Sequence, residues 1–408
     1  MSVVIQSIVG REILNSRGKP TVEAELTTSN GLKVTASVPS GTSTGKYEAR
    51  ELFDGDMRFR GFGTKKAASN VSNAISTCLA GMDVADQRTI DKALIALDGT
   101  PLKERLGGNA ILAASIAAAK AGAAVMGLPM YRYLGGMTAI KVPDIASTVI
   151  SGGAFSPSGL EFEDYLMILE GFPSFSDSVE ALCDMRKLLE KKCKQKYGVV
   201  EEDGGALAPP MSDTQEAFET MLAVAREVGC EKNLKLGLDV AANELYAETE
   251  NCYRMTKGLM DADSLCAYYR KLTQDYPLIY IEDPFMEDQW KEFAKLTAML
   301  PKVQIVGDDL FATSLNRLHR GIEEHAANTL LMKVNQAGTV TEAIEAAIFA
   351  HRNHYLVTAS LRSGETTDDF QADLAVAVQA KQMKLGSPVR GERNVKYNRL
   401  MRIEQELS

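Results

Sequence analysis

The stretch Leu278-Ile279-Tyr280-Ile281-Glu282 is an apolar run closed by a carboxylate, and it is one of a series. Leu234 to Asp239, Val303 to Asp308, Thr329 to Lys333 and Tyr355 to Arg362 repeat the arrangement, with helical stretches between them. Short apolar runs that alternate with helical patterns are the rhythm of βα units, for which a parallel barrel is the natural closure. The helices carry readable ends. Ser212-Asp213 leads into Thr214 to Val228 and Gly229 follows, a capping residue in front and a glycine stop behind.

Upstream the texture differs. Gln6 to Ile13, Thr21 to Thr27 and Leu32 to Val38 read as strands, followed by helical patterns up to about Met137. At 408 residues the chain exceeds what one core supports, so two domains are expected. The fold class is α/β: an N-terminal α+β domain over 1–137 and a (β/α)8 barrel over 138–408. No internal repeat or Pro-rich linker interrupts either part.

Bulk properties narrow the function classes. A formal charge of -9, with both signs interspersed, argues against nucleic acid or anionic lipid as partner, and an anionic substrate would need a locally cationic site. The basic run Arg186 to Lys196 contains Leu188-Leu189 and reads as a solvated amphipathic helix. The six cysteines form no CxxC pair and suit inert thiols in a reducing compartment. Met1 to Gln6 lacks the cationic start and apolar core of a signal peptide, so a cytoplasmic location is expected. Asn109 to Pro129 is long enough to span a membrane, but Lys120 and Gly122 interrupt it and a buried helix is the better reading.

Each apolar run ends in a functional group: Asp239, Glu282, Asp308, Lys333, then Arg362-Ser363. In a (β/α)8 barrel the strand ends converge on one face, so these residues would line one pocket. A lone acidic residue after a strand is commonly a helix cap. Three in succession followed by lysine instead make an oxygen-rich site for a hard cation such as Mg2+. Lys333 suits a general base if the metal and a second cation, for which Lys396 is a candidate, lower its pKa.

At this point a resemblance becomes specific. Ile281-Glu282-Asp283-Pro284-Phe285, Gly307-Asp308-Asp309-Leu310, Lys333-Val334-Asn335-Gln336 and Arg362-Ser363-Gly364-Glu365-Thr366 resemble segments of the enolase family. So do Asn15-Ser16-Arg17-Gly18, Ser40-Gly41-Thr42-Ser43-Thr44-Gly45, Gly108-Asn109-Ala110 and Lys396-Tyr397-Asn398, all in the family's order. The resemblance implies a magnesium-dependent lyase converting 2-phosphoglycerate to phosphoenolpyruvate. By it Asp239, Glu282 and Asp308 hold the catalytic magnesium, and Ser40 holds a second one. Lys333 is the base, Lys396 holds the substrate carboxylate side, and Arg362 and Ser363 hold the phosphate. A homodimer or octamer is likewise implied.

The departures fall on the other half of the site. The family's histidine after Gly-Gly is Phe155 here, and that of its Ser-His-Arg-Ser segment is Leu361. Its Gln-Glu pair becomes Glu163-Asp164, with Glu163 in a substrate-binding position and Asp164 in a catalytic one. Its Asp-Glu-Gly-Gly becomes Glu202-Asp203-Gly204-Gly205, which makes Asp203 a second candidate acid unless Gly204 takes the place. Replacing Glu by Asp withdraws a carboxyl by about 1.5 Å, enough to impair proton delivery to the leaving hydroxide. His319, His325, His351 and His354 do not fill the vacant slots. Two alternatives follow: a paralogue acting on a phosphonate analogue, such as a carboxyphosphonoenolpyruvate synthase, and a non-catalytic enolase-like binding protein.

Overall fold

The computed structural model describes residues 2–41, 45–154, 156–198 and 200–408, with only the backbone of residues 201–203. The chain opens with an antiparallel meander of β1 (Ile5–Leu14), β2 (Pro20–Thr28) and β3 (Lys33–Ser37), paired in that order. Alternation along β2 places Val22, Ala24 and Leu26 on one fully buried face. That face packs on the helix Gly108–Met126, buried on nearly all sides. The membrane-length segment is therefore a core helix of the N-terminal domain. Lys120, the charge that interrupts it, reaches the Asp368 carboxylate at 2.7 Å.

The second part is a closed eight-stranded barrel wrapped by helices. Its members are β4 (Asp144–Ser151), β5 (Asp164–Leu169), β8 (Leu234–Asp239) and β12 (Leu278–Glu282), then β13 (Gln304–Gly307), β14 (Thr329–Met332), β15 (Leu356–Ser360) and β16 (Gln382–Lys384). Pairing of β16 with β4 closes the ring. The hairpin of β6 (Glu201–Asp203) and β7 (Ala206–Ala208) joins the ring from outside, where Leu207 pairs with Ile150. The strands β9 (Tyr246–Ala247), β10 (Cys252–Met255) and β11 (Gly258–Met260) form a separate small sheet.

In one respect the ring departs from an all-parallel barrel. β5 runs antiparallel to both neighbours, β4 and β8. The link between β4 and β5 is residues 152–163, with no helix among its described residues, and a parallel return needs a longer, usually helical, crossover. Reversal puts the start of β5, Asp164, at the same rim as the ends of the other strands.

The helix ends follow the signals in the sequence. The Asp213 side chain accepts from the Glu216 backbone N–H at 3.0 Å, and Gly229 stops the same helix at φ 85°. The basic run differs from expectation at one member. Arg186 is buried and donates to the Gly205 carbonyl at 2.9 Å, so it braces the glycine turn of the β6–β7 hairpin. Inside the barrel Ala146, Leu166, Ile168, Tyr280, Val306 and Leu331 make a plug of their own, and the polar site stands directly on it.

Candidate active site

Tyr280 belongs to that plug, and its hydroxyl donates upward to Glu282 at 2.7 Å. Glu282 is fully buried and pairs in register with Asp239 of the next strand, which in turn pairs with Asp164 of β5. Three adjacent strands thus bring three carboxylates to one level. Into their midst the last residue of β16, Lys384, sends its ammonium: 2.5 Å from Asp239, 3.1 Å from both oxygens of Glu282 and 3.1 Å from Asp164.

Next along the rim, Asp308 accepts from Gln336 at 2.8 Å and from Lys333 Nζ. The backbone N–H of Lys333 is held by Thr313 Oγ1 at 3.0 Å. Asp283 sits at φ +40°, in the left-handed region, and accepts from the amides of Asp308 and Asp309 at 2.9 and 2.7 Å. Its strain is balanced by those two bonds, which aim Asp308 and Asp309 into the opening. Oxygens of Asp283, Asp308 and Asp309 lie within 4.8 Å of one another.

Carboxylates crowd the site: Asp239, Glu282, Asp308, Asp164, Asp283, Asp309 and Glu163 meet Lys333 and Lys384 there, and the guanidiniums of Arg17, Arg362 and Arg393 line the same cavity. Burial first, then the charge of Asp239, pushes Glu282 well above the usual carboxylate range, and the same two causes raise Glu163 to about 8. Burial works against charge on Asp308 too, but the Lys333 ammonium wins and holds that carboxyl low. A buried cage of carboxylate oxygens that binds an ammonium has the donor chemistry of a divalent cation site. Asp239, Glu282 and Asp308 would hold such an ion.

Burial favours neutral Lys333, yet Asp308 outweighs it and raises its pKa. Lys396 is not in this site. It is fully buried under the Arg362–Thr366 loop and donates to Glu365 at 2.9 Å and to the Thr366 carbonyl. Lys396 lies in the helix Gly391–Leu407. Lys384 holds the place across from Lys333. Its signal was present: Gln382-Met383-Lys384 also ends in a functional group, but three residues with one apolar side chain make no visible run.

The cavity holds about 150 Å³, room for one small acid. Glu163, Asp164, Asp239, Asp308, Lys333, Arg362 and Ser363 all line it, so the structure brings together most residues singled out in the sequence. Arg362 pairs with buried Glu48 at 2.6 Å. Ser40 lies on the barrel's edge, bridged to Gly364 by bonds of 2.8 and 3.0 Å, and its hydroxyl donates to Glu51 at 2.7 Å. Thr42 to Thr44 and Phe155 lie outside the described residues, as does the Asp203 side chain. The neighbouring Gly204 and Ala206 line the cavity. Leu361 forms part of the wall, and all four histidines are exposed elsewhere. Arg17, Arg393 and Ser387 line it unforeseen.

With this geometry in view, comparison with known proteins is decisive. Residues 5–134 match the family model described as "Enolase, N-terminal domain", and residues 138–408 match "Enolase, C-terminal TIM barrel domain". The chain belongs to the enolase family. Proteins named enolase from Methanopyrus kandleri and Pyrococcus furiosus are 45% and 46% identical to it, over 99% of this chain and 96% and 95% of theirs. One from Methanocaldococcus jannaschii is 44% identical, over 99% and 95%.

Proposed function

We propose that the protein is a magnesium-dependent carbon-oxygen lyase that dehydrates 2-phosphoglycerate to phosphoenolpyruvate, as in glycolysis. The observation that carries this reading is the opposition of two lysines, Lys333 and Lys384, across a buried carboxylate cage in a cavity sized for one small acid. Bound magnesium would supply charge neutralisation for an intermediate that a carboxylate-adjacent carbanion otherwise makes too costly.

The chain's own groups divide the remaining work. Asp239, Glu282 and Asp308 serve as metal ligands, with Ser40 for a second ion. Asp308 can then no longer give Lys333 its whole charge, and the burial that favours a neutral amine gains weight. Lys333 takes the alpha proton. Lys384, in the role first assigned to Lys396, faces the carboxylate side of the substrate. Arg362 and Ser363 hold the phosphate, and Glu163 contacts the substrate. Asp164, or Asp203, hands a proton to the departing hydroxyl.

Kinship supports a cytoplasmic homodimer or octamer divided into domains 1–137 and 138–408. A second reading, a paralogue acting on a phosphonate analogue, draws on Leu361, which puts an aliphatic side chain on the wall where the family has histidine. Incubation with magnesium and 2-phosphoglycerate in heavy water, followed by NMR, separates the two. Phosphoenolpyruvate formation is the expected result. Neither exchange at the alpha carbon nor elimination, with magnesium still bound, would overturn the first reading and favour the second.

A further inference from the structure

The anion end of the cavity has a guanidinium beyond Arg362. Arg393, in the first turn of the helix Gly391–Leu407, is 6% exposed, and what remains open faces the cavity. A buried arginine ordinarily has a carboxylate in close contact, because desolvating its charge is otherwise unfavourable. Among the described residues Arg393 has none closer than Glu392, at 4.0 Å. It donates one bond, at 3.3 Å, to the carbonyl of Ser363, and its Nε is buried with no partner. By contrast Arg362 is already engaged with Glu48 at 2.6 Å.

The surroundings leave room for this group to act. Two glycines flank it: a Cβ at Gly386 would lie 3.3 Å from Arg393 Cδ, and one at Gly204 would lie 3.7 Å from its Nη2. Ser363 and Ser387, both on the cavity wall, add hydroxyl-bearing side chains beside it. A planar cation whose nearest carboxylate among the described residues is 4.0 Å away, with neighbouring hydroxyls, suits a tetrahedral dianion, since the guanidinium fork can donate to two of its oxygens at once.

We propose that Arg393 is a substrate-binding residue that grips the phosphoryl or phosphonyl group opposite Arg362, so that the anion is clamped between two guanidiniums. The assignment of this end to the phosphate rests on the function proposed above. The clamp selects for a doubly charged group. A neutral hydroxyl in its place would leave Arg393 with no counter-charge nearer than Glu392, at 4.0 Å.

The test uses inorganic phosphate as a probe on the full-length protein, by calorimetric titration at fixed magnesium, alongside steady-state kinetics on 2-phosphoglycerate. For Arg393→Gln the expected result is phosphate affinity lower by about tenfold or more and a KM raised by a similar factor, with kcat changed far less. Arg393→Lys keeps a point charge without the fork and should fall between. Phosphate affinity and KM unchanged in folded Arg393→Gln would overturn the clamp and leave Arg393 as a brace for the Ser363 loop. Failure of both variants to fold would do the same. If the wild type binds phosphate through Arg393 but neither exchanges nor dehydrates 2-phosphoglycerate, the lyase reading fails and the clamp stands.

Discussion

Asp164, the first residue of the reversed strand β5, stands in register with Asp239, the last residue of β8, and both reach the same ammonium, that of Lys384. One cation thereby holds together carboxylates from strands of opposite direction. Lys384→Met should therefore act twice. Without magnesium the buried carboxylates lose their counter-charge, and stability should fall by about 3–5 kcal/mol. With magnesium part of that loss should return, because a divalent ion neutralises the same oxygens. Urea unfolding with and without magnesium reads both. An equal loss under the two conditions would show that Lys384 and the metal ligands are independent.

Burial first, then the charges of Asp239 and Asp164, raise Glu163 to about 8, and burial with Asp308 raises Asp309 to about 7. In the unfolded chain both groups titrate near 4. Between that value and the raised ones the folded state binds more protons, so metal-free stability should decline as pH rises from about 5 to 8. Each group contributes a slope of at most about 1.4 kcal/mol per pH unit. Glu163→Gln removes one of these protons and should flatten the decline. A metal-free stability curve that rises over this range, or one unchanged by Glu163→Gln, would contradict the assignment.

Lys396 and Lys384 offer a contrast that separates architecture from chemistry. Lys396→Met leaves Glu365, in the loop that carries Arg362, buried without its counter-charge, and a loss of about 3–5 kcal/mol is expected. Exchange of the alpha proton, measured per folded molecule, should survive. In Lys333→Ala it should fall by at least a hundredfold with magnesium affinity retained. Loss of exchange in folded Lys396→Met would return that residue to the site.

Much of this was legible beforehand because a barrel turns a one-dimensional regularity into a place. Asp239, Glu282, Asp308 and Lys333 each close an apolar run, and strands that end together put those residues side by side. Asp164 followed from the resemblance and not from this rule, because it opens its strand and only the reversal of β5 brings it to the mouth. The rule hid Lys384 because β16 is three residues long, and it hid Arg393 because a helix supplies it. Lys396 misled for a related reason: the motif around it is real, but its side chain points into the packing beneath the site.

Gly364 marks where the two domains hold the site jointly. Its backbone exchanges hydrogen bonds with Ser40, and a Cβ there would lie 2.8 Å from the Ser40 carbonyl oxygen and 2.7 Å from Asn15 Nδ2. Neither contact can be relieved by rotating a flexible side-chain end alone, because one atom is backbone and the Asn15 carboxamide is tied to the amides of Arg17 and Lys19. Gly364→Ala should therefore push the Ser40 segment off the barrel and lower stability by about 1–3 kcal/mol. If Ser40 carries a magnesium ligand, the displacement should also raise the magnesium concentration needed for half-maximal activity while leaving proton exchange by Lys333 measurable. Thermal unfolding and a magnesium titration of the rate check the two effects. A variant that loses stability with an unchanged magnesium requirement would confine Gly364 and Ser40 to holding the domains together.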